Sequence, residues 1–174
     1  KNFTGVPGRL QFVPNRKNLN VFVDYAHSPD ALENVLSSLQ KVRSQAGSQG
    51  KIWTVFGCGG DRDKGKRPLM AQVAARLSDY VMVTSGNPRT ENPEQIIKDI
   101  LQGFSSEPIP QFQKAQEKIL PAQVDRKQAI EQVIRAARPE DIILIAGKGH
   151  EDYQIIGHEK TPFDDFKIAQ SALL

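Results

Sequence analysis

The chain has 174 residues, 39% hydrophobic and 25% charged, the profile of one globular domain that buries a core without covalent staples. Its 23 Lys and Arg against 20 Asp and Glu are too evenly balanced to argue for nucleic acid, although converging positive charges would suit a small anion. A single cysteine, Cys58, excludes an intrachain disulfide and points to a reducing, cytoplasmic setting. No apolar run reaches membrane-span length, and the opening KNFTGVPGRL lacks a signal-peptide core and reads as a segment from within a longer chain.

Short apolar runs then alternate with amphipathic stretches. Residues 19–23 (LNVFV) read as a buried strand. Ala31, Leu32, Val35, Leu36 and Leu39 mark a helix over 29–42, capped by Ser28 or Asp30. A GSQGK turn leads to a strand at 52–56, a glycine-rich loop and a helix over 68–77. A third strand is expected at 80–84, a helix at 93–101 and a short edge strand at 108–113. Ala129, Ile130, Val133, Ile134 and Ala137 share one face of a helix over 125–137. Strands at 141–146 and 153–156 and a closing helix over 164–174 complete the series. This alternation predicts an α/β domain with a mostly parallel sheet flanked by helices.

Such sheets bind ligands beyond the C-terminal ends of their strands. The chemically unusual segments fall there: DYAHSPD after the first strand, GCGGDRDKGKRP after the second, SGNPRTENP after the third and GKGHEDY after the late one. Asp24, Tyr25 and His27 offer a carboxylate, a ring and an imidazole suited to a nucleotide; taken singly they fit a strand-end turn better, but the hexapeptide DYAHSP as a whole is distinctive. Glycines from Gly57 to Gly65 let backbone approach a ligand, with Arg62, Lys64, Lys66 and Arg67 supplying charge before a helix N-terminus. The pattern GxxxxGK[ST] is absent, so this is not a Walker A loop. Cys58 reads as a packing residue rather than a nucleophile. Gly86, Asn87, Pro88 and Arg89 form a stiffened loop whose Arg can grip a carboxylate in bidentate fashion, or a plain turn with a surface Arg. Glu151 can pair with an ammonium. The histidines and acids show no metal-ligand spacing, and no residue here is singled out as catalytic.

Read in order, VDYAHSPDALENVL, FGCGGDRDKGKRPLM, TSGNPRTENPEQII and AGKGHEDYQIIG, with FDD at 163–165, resemble the C-terminal domain of Mur ligases of the UDP-N-acetylmuramoyl-tripeptide synthetase type. The opening GVPGRLQFV is similar to the segment that leads into that domain, so 1–17 is expected to be a linking segment and the whole of 1–174 one C-terminal domain. The resemblance implies a Rossmann-like fold and ATP-dependent amide-bond formation through an acyl phosphate. Its substrates would be ATP with Mg2+, meso-diaminopimelate and UDP-N-acetylmuramoyl-L-alanyl-D-glutamate. It also implies partner domains that carry the P-loop, the metal ligands and the UDP-sugar site, without which this chain would not ligate. Carried over by motif, Arg9, Asp24, Tyr25 and His27 would serve ATP. Arg62, Gly86, Asn87, Pro88, Arg89, Gly147 and Glu151 would serve the amino acid, with Arg89 on its distal carboxylate. The family motif reads Asp-Asn-Pro-Arg, and here Gly86 stands at the Asp position. Arg89 favours diaminopimelate over L-lysine, which would leave a partly buried Arg unpaired. Alternatives are a lysine-adding ligase and a stand-alone nucleotide- or amino-acid-binding module. The ordered GGDRD, NPR and GKGHE set argues against folylpolyglutamate or cyanophycin-type synthetases, which share a similar fold.

Overall fold

The computed structural model describes residues 6–105 and 118–174; the edge strand expected at 108–113 lies outside them. The described elements are β1 (Gln11–Phe12), β2 (Asn20–Asp24), α1 (Pro29–Gln45), β3 (Ile52–Phe56), α2 (Lys66–Leu77), β4 (Tyr80–Val83), α3 (Pro93–Leu101), α4 (Arg126–Ala136), β5 (Ile142–Ala146), β6 (Tyr153–Ile156), β7 (Glu159–Pro162) and α5 (Asp165–Ala172). The main sheet runs β1-β2-β5-β3-β4, parallel except for β1, which pairs antiparallel with β2. β6 and β7 form a separate antiparallel hairpin.

Side-chain alternation divides the core into two layers. Ile52, Phe56, Val81, Val83, Ile142, Leu144 and Ala146 face α1, α2 and α3, meeting Leu32, Leu36, Met70, Ala71, Ile96 and Ile100. The intervening residues Val21, Val23, Trp53, Val55, Met82, Ile143 and Ile145 face α4 and α5, meeting Ile130, Val133, Ile134 and Ala169. Covered on both faces, β3 and β5 are buried along their whole length, which is why they read as unbroken apolar runs.

The helices start close to where the sequence places them because polar side chains close their first turns. Ser28, not Asp30, caps α1, its Oγ accepting from the Ala31 N–H at 3.3 Å. Asn92, Asp125 and Asp164 cap α3, α4 and α5 in the same way. Helix α2 begins two residues ahead of expectation, at Lys66, directly after Gly65. At the opposite end of the sheet the Asp141 carboxylate accepts from the Lys51 N–H (2.7 Å), the Arg138 N–H (2.9 Å) and Trp53 Nε1 (2.9 Å). These bonds pin the start of β5 to β3 at the end of the sheet away from the four rim loops.

Leu144 is fully buried on the central strand. Leu144→Ala is expected to lower unfolding stability by about 2–5 kcal/mol, read as a lower urea midpoint; a loss well under 1 kcal/mol would contradict this packing.

Candidate functional site

The loops after β2, β3, β4 and β5 meet at one rim and enclose a cleft of about 430 Å³. Tyr25, His27, Gly57, Arg62, Lys66, Asn87, Arg89, Lys148 and Glu151 are among its lining residues. Of the residues expected to act, Tyr25, His27, Arg62, Gly86, Asn87, Arg89, Gly147 and Glu151 thus converge on one cavity. Arg9, Asp24 and Pro88 do not line it.

Asp24 faces the chain itself. One carboxylate oxygen accepts from the Ala26 N–H at 2.7 Å and the other from the Leu10 N–H at 2.7 Å. It therefore clamps the leading segment to the end of β2. Gly8 there passes so close to the β5 loop that a Cβ would lie 2.1 Å from the His150 nitrogen, and its φ of +72° is open chiefly to glycine. Arg9 sits exposed on the turn so formed. Beside it the Tyr25 ring lies 4.6 Å from His27 and 5.4 Å from His150, centroid to centroid. The three rings make a partly open aromatic group, of which Tyr25 and His27 line the cleft.

The charges of the glycine-rich loop are mostly spent inside the protein. Arg67 is fully buried; its guanidinium donates to both oxygens of Glu91 (3.0 Å each), to Asp99 (2.8 Å) and to the Gly59 carbonyl (3.2 Å). Lys64 also approaches Glu91, at 3.5 Å, and Lys66 Nζ donates to the His27 carbonyl at 2.8 Å. Arg62 remains exposed at the cleft, donating among the described residues to the Asp61 carbonyl at 3.3 Å. The expected convergence of four cations on an anion is thus reduced, and Arg67 instead fixes the loop's shape. Its hydrogen bonds hold the Glu91 carboxyl down at about 2, reinforced by the Asp61 N–H and the Lys64 charge. Cys58 is buried with its thiol pushed up to about 11 by that burial, and its Sγ donates to Met70 Sδ at 3.7 Å. A protonated, packed thiol is what its sequence context implied.

The loop after β4 is docked on both sides. Gly60 donates to the Asn87 carbonyl at 2.9 Å, and a Cβ at Gly60 would lie 1.8 Å from the Pro88 oxygen. Arg89 occupies the left-handed region, φ +52°. It is held there because its N–H donates to the Ile155 carbonyl (3.0 Å) and its own carbonyl accepts from Gly157 (2.7 Å). One guanidinium nitrogen of Arg89 donates to the Gly60 carbonyl at 2.9 Å. Among the described residues no carboxylate forms an ion pair with Arg89 or Arg62. Gly86 has no positive φ, but a Cβ there would stand 3.1 Å from the Cys58 carbonyl oxygen. An Asp at this position would need the β3 and β4 loops to part by a few tenths of an ångström.

Two buried cations that sequence reasoning missed complete the floor. Arg126 makes a two-pronged pair with Asp165 (2.9 and 2.7 Å) and donates to the Ser85 and Ala146 carbonyls at 3.3 and 3.0 Å. Lys148 bonds Asn87 Oδ1 and Glu151 Oε2 at 3.0 and 3.1 Å. Burial lowers its ammonium's affinity for the proton, against the pull of Glu151. Neither Arg nor Lys signals burial by type, since both are ordinarily exposed. With these two neutralised, the uncompensated charge on the cleft wall comes from Arg62, Lys66 and Arg89 against Asp63, an arrangement suited to a ligand carrying carboxylate.

A parallel sheet with a charged cleft across the C-terminal ends of its strands defines an α/β ligand-binding domain of the Rossmann-like kind. Residues 8–149 match the family Mur ligase, glutamate ligase domain, and the chain belongs to that family. The UDP-N-acetylmuramoyl-L-alanyl-D-glutamate–2,6-diaminopimelate ligase of Clostridioides difficile is 50% identical over 169 residues, which are 97% of this chain and 32% of that protein. A solved structure of a ligase of that name superposes with a TM-score of 0.80 at 44% identity, covering 97% of this chain and 32% of the other. The bifunctional folylpolyglutamate synthase/dihydrofolate synthase of Yersinia pestis shares the fold alone, with a TM-score of 0.58 at 19% identity over 86% of this chain and 30% of that one. The chain spans about a third of the length of the curated relatives it matches. Among the described residues no helix is long and apolar enough to cross a membrane.

The Glu91 carboxyl carries a pH signature. Because it is depressed from 4.5 to about 2 in the folded state, its contribution to stability is present above pH 4.5 and is lost as pH falls toward 2. Glu91→Gln is expected to lose stability less steeply than the parent between pH 5 and pH 2, followed by urea midpoints at each pH; parallel profiles would contradict the pairing with Arg67.

Proposed function

We propose that the chain is the C-terminal domain of an ATP-dependent amide ligase that adds meso-diaminopimelate to UDP-N-acetylmuramoyl-L-alanyl-D-glutamate, a step in building peptidoglycan in the cytoplasm. In this reading two further domains of the same protein hold the UDP-sugar and the nucleotide phosphates, and this chain by itself does not ligate. The acceptor carboxylate attacks the ATP γ-phosphorus, ADP leaves, and the amine then displaces phosphate from the acyl phosphate. The domain's share is positioning and charge.

The observation that carries the reading is Arg89. It is preorganised in a left-handed turn, lines the same cleft as Glu151, and has no ion-paired carboxylate of its own among the described residues. A guanidinium bonded only to backbone carbonyls among the described residues and a carboxylate in one cavity match an amino acid that ends in both a carboxylate and an ammonium. Arg62 serves a second carboxylate of the ligand, and Gly86, Asn87, Pro88 and Gly147 shape the pocket around it. The Tyr25 and His27 rings serve the nucleotide, with Asp24 and Arg9 on the adjoining turn. The described residues hold no cluster of three His, Cys, Asp or Glu able to cage a cation. Mg2+ would be held by the nucleotide and the central domain.

In the complete ligase, Arg89→Ala is expected to raise the KM for meso-diaminopimelate by roughly 100-fold, the loss of a charge-assisted pair, with the KM for ATP within about twofold of the parent. A change carried mainly by ATP would assign the loop to the nucleotide instead.

A further inference from the structure

Lys148 lines the cleft yet plays no part in the reading above. Its buried ammonium meets three acceptors: Asn87 Oδ1 at 3.0 Å, Glu151 Oε2 at 3.1 Å and the Tyr153 carbonyl. The rings of Tyr153 and Phe163 flank it at 5.4 and 5.9 Å from the nitrogen. An ammonium has three N–H donors, so all are spent within the protein and none is left for a ligand. Its two side-chain partners, by contrast, are residues assigned to the incoming amino acid. Asn87 Oδ1 accepts also from the Ile155 N–H at 3.2 Å, which turns its Nδ2 toward Glu151 Oε2, 2.9 Å away. Glu151 Oε2 is thus filled by two donors, while Oε1 has no protein partner among the described residues.

We propose that Lys148 is a positioning residue for amino-acid selection: it sets the amide orientation of Asn87 and leaves Glu151 Oε1 as the acceptor offered to the ligand's ammonium. The inference rests on the amino-acid role proposed for this cleft. Lys148 balances the Glu151 charge before any ligand arrives, so a passing cation gains little from it. A ligand is held only when its ammonium reaches Oε1 and its carboxylate reaches Arg89 together. The buried amine thereby exchanges some raw attraction for geometry.

The test uses the complete ligase with Lys148→Met, Glu151→Gln and the double variant, measuring the KM for the amino acid and for ATP. Lys148→Met is expected to raise the amino-acid KM about 10- to 100-fold with the ATP KM within about twofold. Added to Glu151→Gln it is expected to change the amino-acid KM by less than about twofold further, because the residue acts through Glu151. Multiplicative effects, or amino-acid and ATP constants that move together, would overturn the proposal, since general packing gives those patterns. If Lys148→Met does not fold, Lys148→Arg decides: it keeps the buried positive charge but cannot place three donors on Asn87 Oδ1, Glu151 Oε2 and the Tyr153 carbonyl as the ammonium does. A raised amino-acid KM with ATP unchanged supports the proposal, and an unchanged amino-acid KM overturns it. Failure of the underlying function would appear separately, as no turnover of meso-diaminopimelate by the parent enzyme; the Lys148 comparison is then read on whichever amino acid the parent uses.

Discussion

Arg126 enters the core from the first residue of α4 and closes on the ends of three other elements at once. Its guanidinium pairs with Asp165 at the start of α5 and donates to the carbonyls of Ser85, just past β4, and Ala146, the last residue of β5. Both members of the pair are fully buried. Removing one partner of such a pair leaves an uncompensated charge and costs about 3–5 kcal/mol. The pair also fixes where the two strand ends lie, and therefore where the loops that leave them begin. The position of Asn87 and of the 147–151 loop follows from that constraint.

A second buried arginine does the same on the other flank. Arg67 ties the Gly59 carbonyl to Glu91 and Asp99, joining the glycine-rich loop to the segment just before α3 and to the last turn of α3. The glycines then act through contact distance rather than flexibility: Gly57 and Gly60 lie where a Cβ would collide with the Thr84 and Pro88 oxygens. The β3 and β4 loops are thereby pressed together into one wall. Arg67, Arg126 and Lys148 are all compensated internally, whereas among the described residues Arg62, Lys66 and Arg89 line the cleft without an ion-paired carboxylate.

Much of the fold was legible before any coordinates. The strands at 52–56 and 153–156 and the helix at 93–101 fall where periodicity put them. β1 escaped because two residues carry no periodicity, and β7 because Glu159 to Pro162 are all exposed and offer no apolar signal. The rim location of the four loops was legible from parallel topology alone. The work of Arg67, Arg126 and Lys148 was not, since their burial depends on partners far along the chain: Asp99, Asp165 and Asn87. The double engagement of Asp24 with Leu10 and Ala26 was hidden for the same reason. A charged residue's type tells what it can bond; only the fold tells whether its bonds are already made.

The proposed function requires that the cleft select an amino acid by its distal carboxylate. The most direct measurement is the ratio of kcat/KM for meso-diaminopimelate to that for L-lysine in the complete ligase, followed as phosphate release. A cavity whose guanidinium goes unpaired with lysine predicts a ratio that reaches roughly 10⁴. A ratio near one, or a preference for lysine, would contradict the account by showing that Arg89 does not read the ligand.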